Sequence, residues 1–195
     1  MRWERAAAGR MFGRLLLAAA LAAMGSTPAA ADPDEAALRE QADRLLNAVR
    51  LRVVDCTAGP RLVTALASPD SNGDRDVVVA AERPALRWSE PLARAAARHV
   101  GSMARTRVFA HRGADGTTVR ERVDATGYRW QAVAENLAAG QSELHQAVAD
   151  WLASVSHCQA LTDQRFTEFG IARTRAEHPH DAYGTYWALV LGRPR

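Results

Sequence analysis

The chain has 195 residues, a formal net charge of +3, 22 acidic residues, two cysteines and 25 basic residues, every one of them arginine. Arg2, Arg5, Arg10, Arg14 and the acid Glu4 fall in the first 31 residues, so 21 residues of each sign remain beyond them and that part is formally neutral. This balance argues against nucleic acid as a partner, because such binding needs a basic face.

The first segment, 1–31, has a basic start, an apolar run over 15–24 and the small triplet Ala29-Ala30-Ala31. These are the three parts of a cleavable secretory signal peptide. The apolar run is shorter than the roughly 20 residues of a membrane span, and no second run of that kind follows. The expectation is export to the periplasm or the exterior, with no transmembrane anchor after cleavage near Ala31. Residues 32–195 are then a single domain, long enough to build its own core.

Helical spacing of Leu38, Ala42, Leu45, Leu46, Val49 and Val53 predicts a helix over 34–53, stopped by Gly59-Pro60. Residues 57–83 carry little pattern beyond a turn-rich loop over 68–74 and a possible short strand over 76–80. Ser89 is a candidate cap, with Pro91 in the first turn, for a helix over 90–106. Its inward face is Leu92, Ala95, Ala96, His99, Val100 and Met103. A further helix over 117–126 ends at Gly127. Residues 134–138 form a short extended piece, and a helix runs from Ser142-Glu143 to Ala153. Two strands, 167–175 and 183–191, close the chain around a turn at His178-Pro179-His180-Asp181. Helices followed by a hairpin predict an α+β domain with helices packed on a small antiparallel sheet.

Cys56 and Cys158 are the only cysteines. In an exported chain they are expected to pair. The competing reading is a reactive thiol at Cys158, beside His157.

Several pieces occur in order: Leu86-Arg87-Trp88, Phe109-Ala110-His111, Gly127-Tyr128, Ala134-Glu135-Asn136-Leu137-Ala138-Ala139-Gly140, Trp151 with Ser154, His157-Cys158, Phe166-Thr167-Glu168-Phe169-Gly170 and Tyr186-Trp187. Together they resemble the CAP superfamily of cysteine-rich secretory, antigen 5 and pathogenesis-related-1 proteins, in particular its bacterial secreted branch, over about residues 38–192. The resemblance implies an α-β-α sandwich with a cleft lined by two His and two Glu. His111 matches the first His, Glu135 the first Glu and His157 the second His. Ser154 stands where the second Glu is expected, so the tetrad is incomplete. It also implies a cleft able to bind zinc or another divalent cation.

Two imidazoles and a carboxylate can hold Zn²⁺ with water in the fourth position. The plainer alternative for His111, Glu135 and His157 is a hydrogen-bonded polar network. Asn136 and Ser154 are expected to support the cleft, Asn136 by bonding nearby backbone. Glu168 is expected to pair with Arg122, the alternative being a place near the cleft, and the cluster of Arg120, Arg122 and Arg129 is expected to form a solvated face rather than a phosphate site. The favoured function is a binding module for a divalent cation, a lipid, a peptide or a cell-envelope component. The alternative is a metal-assisted or protease-like hydrolase with Glu135 as base. No G-x-S-x-G elbow is present to suggest a serine hydrolase.

Overall fold

The computed structural model of the protein describes residues 33–51, 56–57 and 83–195. The expected signal peptide, the loop over 68–74 and the strand over 76–80 lie outside the described residues. Helix α1 spans Pro33–Arg50, with Asp34 and Glu35 in its first turn and Arg50 in its last, matching the helix dipole at both ends. It ends three residues before the predicted limit. Arg50, in the last turn, is buried. Its buried guanidinium donates to the carbonyls of Pro84, Leu161, Asp163 and Phe166.

A two-residue strand β1, Arg87–Trp88, precedes helix α2, Glu90–Thr106. Ser89 is the N-cap of α2 in extended geometry, although its side chain makes no cap hydrogen bond. Helix α3, Val119–Asp124, is shorter than predicted at both ends, with Thr118 as its N-cap and Ala125 as its C-cap. Thr118 and Glu121 form a reciprocal capping box there. Gly127, at φ 80°, then turns the chain into β2, Trp130–Ala139. This strand is twice the length expected. The added length is mainly at its start, where the register with β4 shifts between Trp130 and Ala132, while residues 135–138 are buried.

Helix α4 covers Leu144–Ala153, as expected to within two residues, and helix α5, Val155–Thr162, was not foreseen. Strands β3, Glu168–Arg175, and β4, Thr185–Pro194, complete the chain. The sheet order is β1-β3-β4-β2. β4 is antiparallel to both neighbours, and β1 adds one short parallel pair to β3. The sheet is therefore mixed rather than purely antiparallel.

Two cores lie on opposite faces of this sheet. One gathers Leu46, Trp151, Leu161, Phe169, Trp187, Leu189 and Leu191 from α1, α4, α5 and the sheet. The other gathers Leu92, Ala96, Val100, Met103, Tyr186, Ala188 and Val190 from α2 and the sheet. Alternate residues of β4 thus feed alternate cores, and the α-β-α layering holds. Gly170 lets α2 lie directly on β3: a Cβ there would sit 2.0 Å from the Ala93 nitrogen and 2.3 Å from the Leu92 carbonyl carbon. A disulfide joins Cys56 to Cys158, 102 residues apart, with 5.6 Å between their Cα atoms. That pairing rules out the reactive thiol at Cys158.

Candidate functional site: two histidines across a sheet edge

Strand β2 is an edge of the sheet, and the site is built around it. Successive strand residues point to opposite faces. Glu135 therefore enters the layer of α2 and α3, while Asn136 enters the layer of α5. There Asn136 Nδ2 donates to the His157 carbonyl, 3.0 Å away, which is the backbone bond expected of it. His111 reaches the same edge from the opposite layer. Its ring centroid lies 6.3 Å from that of His157, with the planes inclined by 40°.

Glu135 is the hinge of the arrangement. Its side chain is 1% exposed. Oε1 accepts from His111 Nδ1 at 2.9 Å, and Oε2 accepts from an Arg122 nitrogen at 2.7 Å. Because a carboxylate accepts and does not donate, His111 carries its proton on Nδ1 and offers the Nε2 lone pair outward. Its side chain is 59% exposed. The carboxylate–histidine pairing is the one that fixes ring orientation in metal sites and raises imidazole basicity.

Arg122 corrects two expectations. It is 2% exposed rather than part of a solvated face, and its acid is Glu135 rather than Glu168. The same guanidinium donates to the carbonyls of Thr117 and His111, so it holds the His111 backbone and the Glu135 carboxylate together. Glu168 instead accepts from the Tyr128 hydroxyl at 2.9 Å and lies 3.6 Å from Arg87. The Tyr128 phenol is raised well above its usual range by burial, then by this bond.

His99 is the residue whose part the sequence did not show. It is fully buried on α2 and donates from Nε2 to the Ala110 carbonyl at 2.9 Å. The same nitrogen lies 3.9 Å from Glu135 Oε1. Burial lowers its pKa, a shift only partly offset by Glu135, so the ring is neutral. Thus His99 and Arg122 clamp consecutive residues, Ala110 and His111. The His157 pKa is also lowered, first by burial and then by His111, which favours the neutral ring with one nitrogen lone pair available.

Ser154 stands at the junction of α4 and α5, one helical turn before His157, and makes no side-chain cap bond. Among the described residues no hydrogen bond links its side chain to the cleft. No group of three or more His, Cys, Asp or Glu side chains able to hold a metal occurs among the described residues either. The two imidazole rings lie near one another, 6.3 Å between centroids, and Glu135 is engaged with His111 and Arg122 rather than free. As a general base Glu135 is poorly placed, since a base must reach the proton it removes and both its oxygens are occupied. A groove of about 550 Å³ beside α1, lined by Glu35, Arg39, Asp43, Trp88 and Glu90 among others, contains none of these residues.

The model of CAP, the cysteine-rich secretory protein family, matches residues 44–191. The chain belongs to this family. No curated protein matches it. Solved structures do. An extracellular protein of Bacillus anthracis str. Ames that contains an SCP domain is similar with 21% identity and a TM-score of 0.57, over 83% of this chain and 44% of that one. The CAP chain therefore spans less than half of that Bacillus protein. An outer surface protein of Borrelia burgdorferi is similar with 24% identity and a TM-score of 0.50, over 56% of this chain and 78% of that one. At such identities the likeness is one of fold, and it agrees with the layered architecture of this CAP domain. No helix among the described residues is long and apolar enough to cross a membrane.

Proposed function

We propose that this CAP domain is an exported binding module whose cleft holds a divalent cation on the imidazoles of His111 and His157. Glu135 serves as the orienting carboxylate rather than as a ligand, and Arg122 and His99 fix the loop that carries His111. The observation that carries this reading is the bond from His111 Nδ1 to Glu135 Oε1. It leaves Nε2 free as a donor, on a ring whose centroid lies 6.3 Å from that of His157. Imidazole nitrogens ligate Zn²⁺ at about 2.0–2.1 Å in sites completed by solvent or substrate.

Export is supported by the signal-peptide pattern of residues 1–31 and by the disulfide, which belongs to oxidising compartments. The Bacillus relative is described as extracellular and the Borrelia relative as an outer surface protein. A hydrolase reading has no comparable support, because Glu135 is held by two donors.

The test is calorimetric titration of Zn²⁺ into the purified, oxidised protein. Wild type is expected to bind one ion, His111→Ala and His157→Ala to lose binding, and Glu135→Gln to weaken it by about 10–100-fold, the usual cost of removing such an outer partner. Absence of Zn²⁺ binding in wild type, or retention in both histidine variants, rules the cation site out.

A further inference from the structure

We infer that the far edge of the sheet is a docking site for an extended peptide, which joins β3 there as an added strand. The site is independent of the histidine cleft, because β2 lies at the opposite edge. The first support is an interrupted column of main-chain bonds. β1 covers only the start of β3, pairing Arg87 with Glu168 and Trp88 with Phe169. On that side the Arg87 N–H donates to the Thr167 carbonyl, and the Ser89 N–H to the Phe169 carbonyl. The chain then leaves the column and enters α2 at Glu90, while β3 runs on to Arg175. Main-chain groups of successive strand residues turn to alternate sides. Ile171 and Arg173 therefore turn theirs to the side that β1 has left. Among the described residues no hydrogen bond reaches the N–H or carbonyl of either from that side.

The second support is a groove of about 580 Å³ that meets every residue from Ile171 to Arg175. Strand side chains alternate between faces, so a groove over one face would meet every second residue. One that meets consecutive residues lies along the edge itself. Leu38 of α1 and Ala93 and Ala97 of α2 also line it, so the edge is the floor of a slot between two helical layers. The third support is the chemistry of the walls. Toward α2 they carry Ala93, Ala97 and Ala172, small apolar residues that leave room for larger side chains. Toward α1 they carry Glu35 and Arg173, the latter stacked on Trp187 at 5.5 Å. A peptide with apolar side chains at every second position and polar ones between matches both walls. Main-chain bonds give such complexes affinity, and alternate side chains give specificity. A second copy of this chain fits less well. Pairing two β3 edges about Arg173 sets that arginine against its own counterpart, and like charges directly opposite are destabilising.

The experiment uses the oxidised protein without added metal and a fluorescein-labelled library of capped seven-residue peptides. Even positions hold Val, Ile, Leu or Phe, and odd positions Ser, Thr, Lys or Glu. Saturable binding of library members is expected in fluorescence anisotropy. The best binder is then N-methylated on its odd or on its even residues. One set should weaken binding by about tenfold or more, because several hydrogen bonds are lost together, and the other should leave it unchanged. Amide exchange followed by NMR is expected to slow at Ile171 and Arg173 when the peptide is added. Ala172 and Thr174, already paired with β4, should not change. Ala97→Arg, which puts a long charged side chain into the slot, should weaken binding without lowering the urea midpoint. Absence of any saturable binder, equal losses from both methylated sets, or slowed exchange confined to residues outside β3 overturns the inference. A dimer that protects Ile171 and Arg173 without peptide assigns the edge to a second copy and overturns it as well.

Discussion

At the scale of single residues, the cleft depends on two buried groups that touch no solvent. Arg122 and His99 are held in layers that the chain brings together only through tertiary packing, 13 and 36 positions from Glu135. No local pattern marks such a pairing. His111, Glu135 and His157 stand out in the sequence because each sits in a distinctive short run, and the structure brings His111 into contact with Glu135 and near His157. Arg122 looked like one of several surface arginines. His99 occupies a helical core position among Ala96, Val100 and Met103, where a histidine reads as packing. Its environment sets a pH dependence. Burial lowers its pKa in the folded protein, below the unfolded value of about 6.5. Above that value both states are neutral there and nothing changes. As pH falls through it, the unfolded chain binds more protons than the folded one, so stability declines on acidification. His157 contributes with the same sign. Urea unfolding at pH 7.5 and 5.5 is expected to give a lower midpoint at 5.5, and His99→Gln should flatten the difference. A variant with the wild-type slope would remove His99 as its source.

At the scale of elements, helix α2 and the C-terminal hairpin were readable because each has a continuous apolar period. Helix α5 was not. Only eight residues long, it has two buried apolar positions, Cys158 and Leu161, and the tight junction at Ser154 separates it from α4. Strand β2 looked short because the part beyond the expected piece is mainly its irregular start, 130–133, where the register with β4 shifts between Trp130 and Ala132 and a plain period-two pattern is interrupted. Helix α2 lies directly on β3, and Gly170 is what permits it. Its Cβ-equivalent position meets backbone atoms of Leu92 and Ala93, which cannot rotate away. Gly170→Ala is expected to cost about 3 kcal/mol or more, the upper range for overpacking, read as a loss of unfolding free energy in urea. A loss below about 1 kcal/mol would mean that the helix can lift from the strand at little cost.

At the scale of the whole molecule, the cleft joins two layers across the free edge of β2, and the disulfide braces one of them. Cys158 follows His157 directly, and its bridge closes a span of 102 residues. The chain-entropy model gives such a loop about 4–5 kcal/mol. Cys56→Ser with Cys158→Ser should lose close to that in chemical unfolding, and Zn²⁺ affinity should fall with it, because the segment carrying His157 loses its tie. Unchanged affinity in the folded double variant would show that α5 is held by its core contacts alone. One feature of the topology also governs how the molecule can assemble. β4 is the sheet's centre, pairing with β2 along one side and β3 along the other, yet it is the last element of the fold in chain order. Until it arrives, β2 and β3 have no partner between them and both cores lack their shared wall. Contacts of long sequence separation then dominate the rate-limiting step. Such a chain should stay open and protease-sensitive when arrested before residue 185, and close in a single late step once the final strand is available.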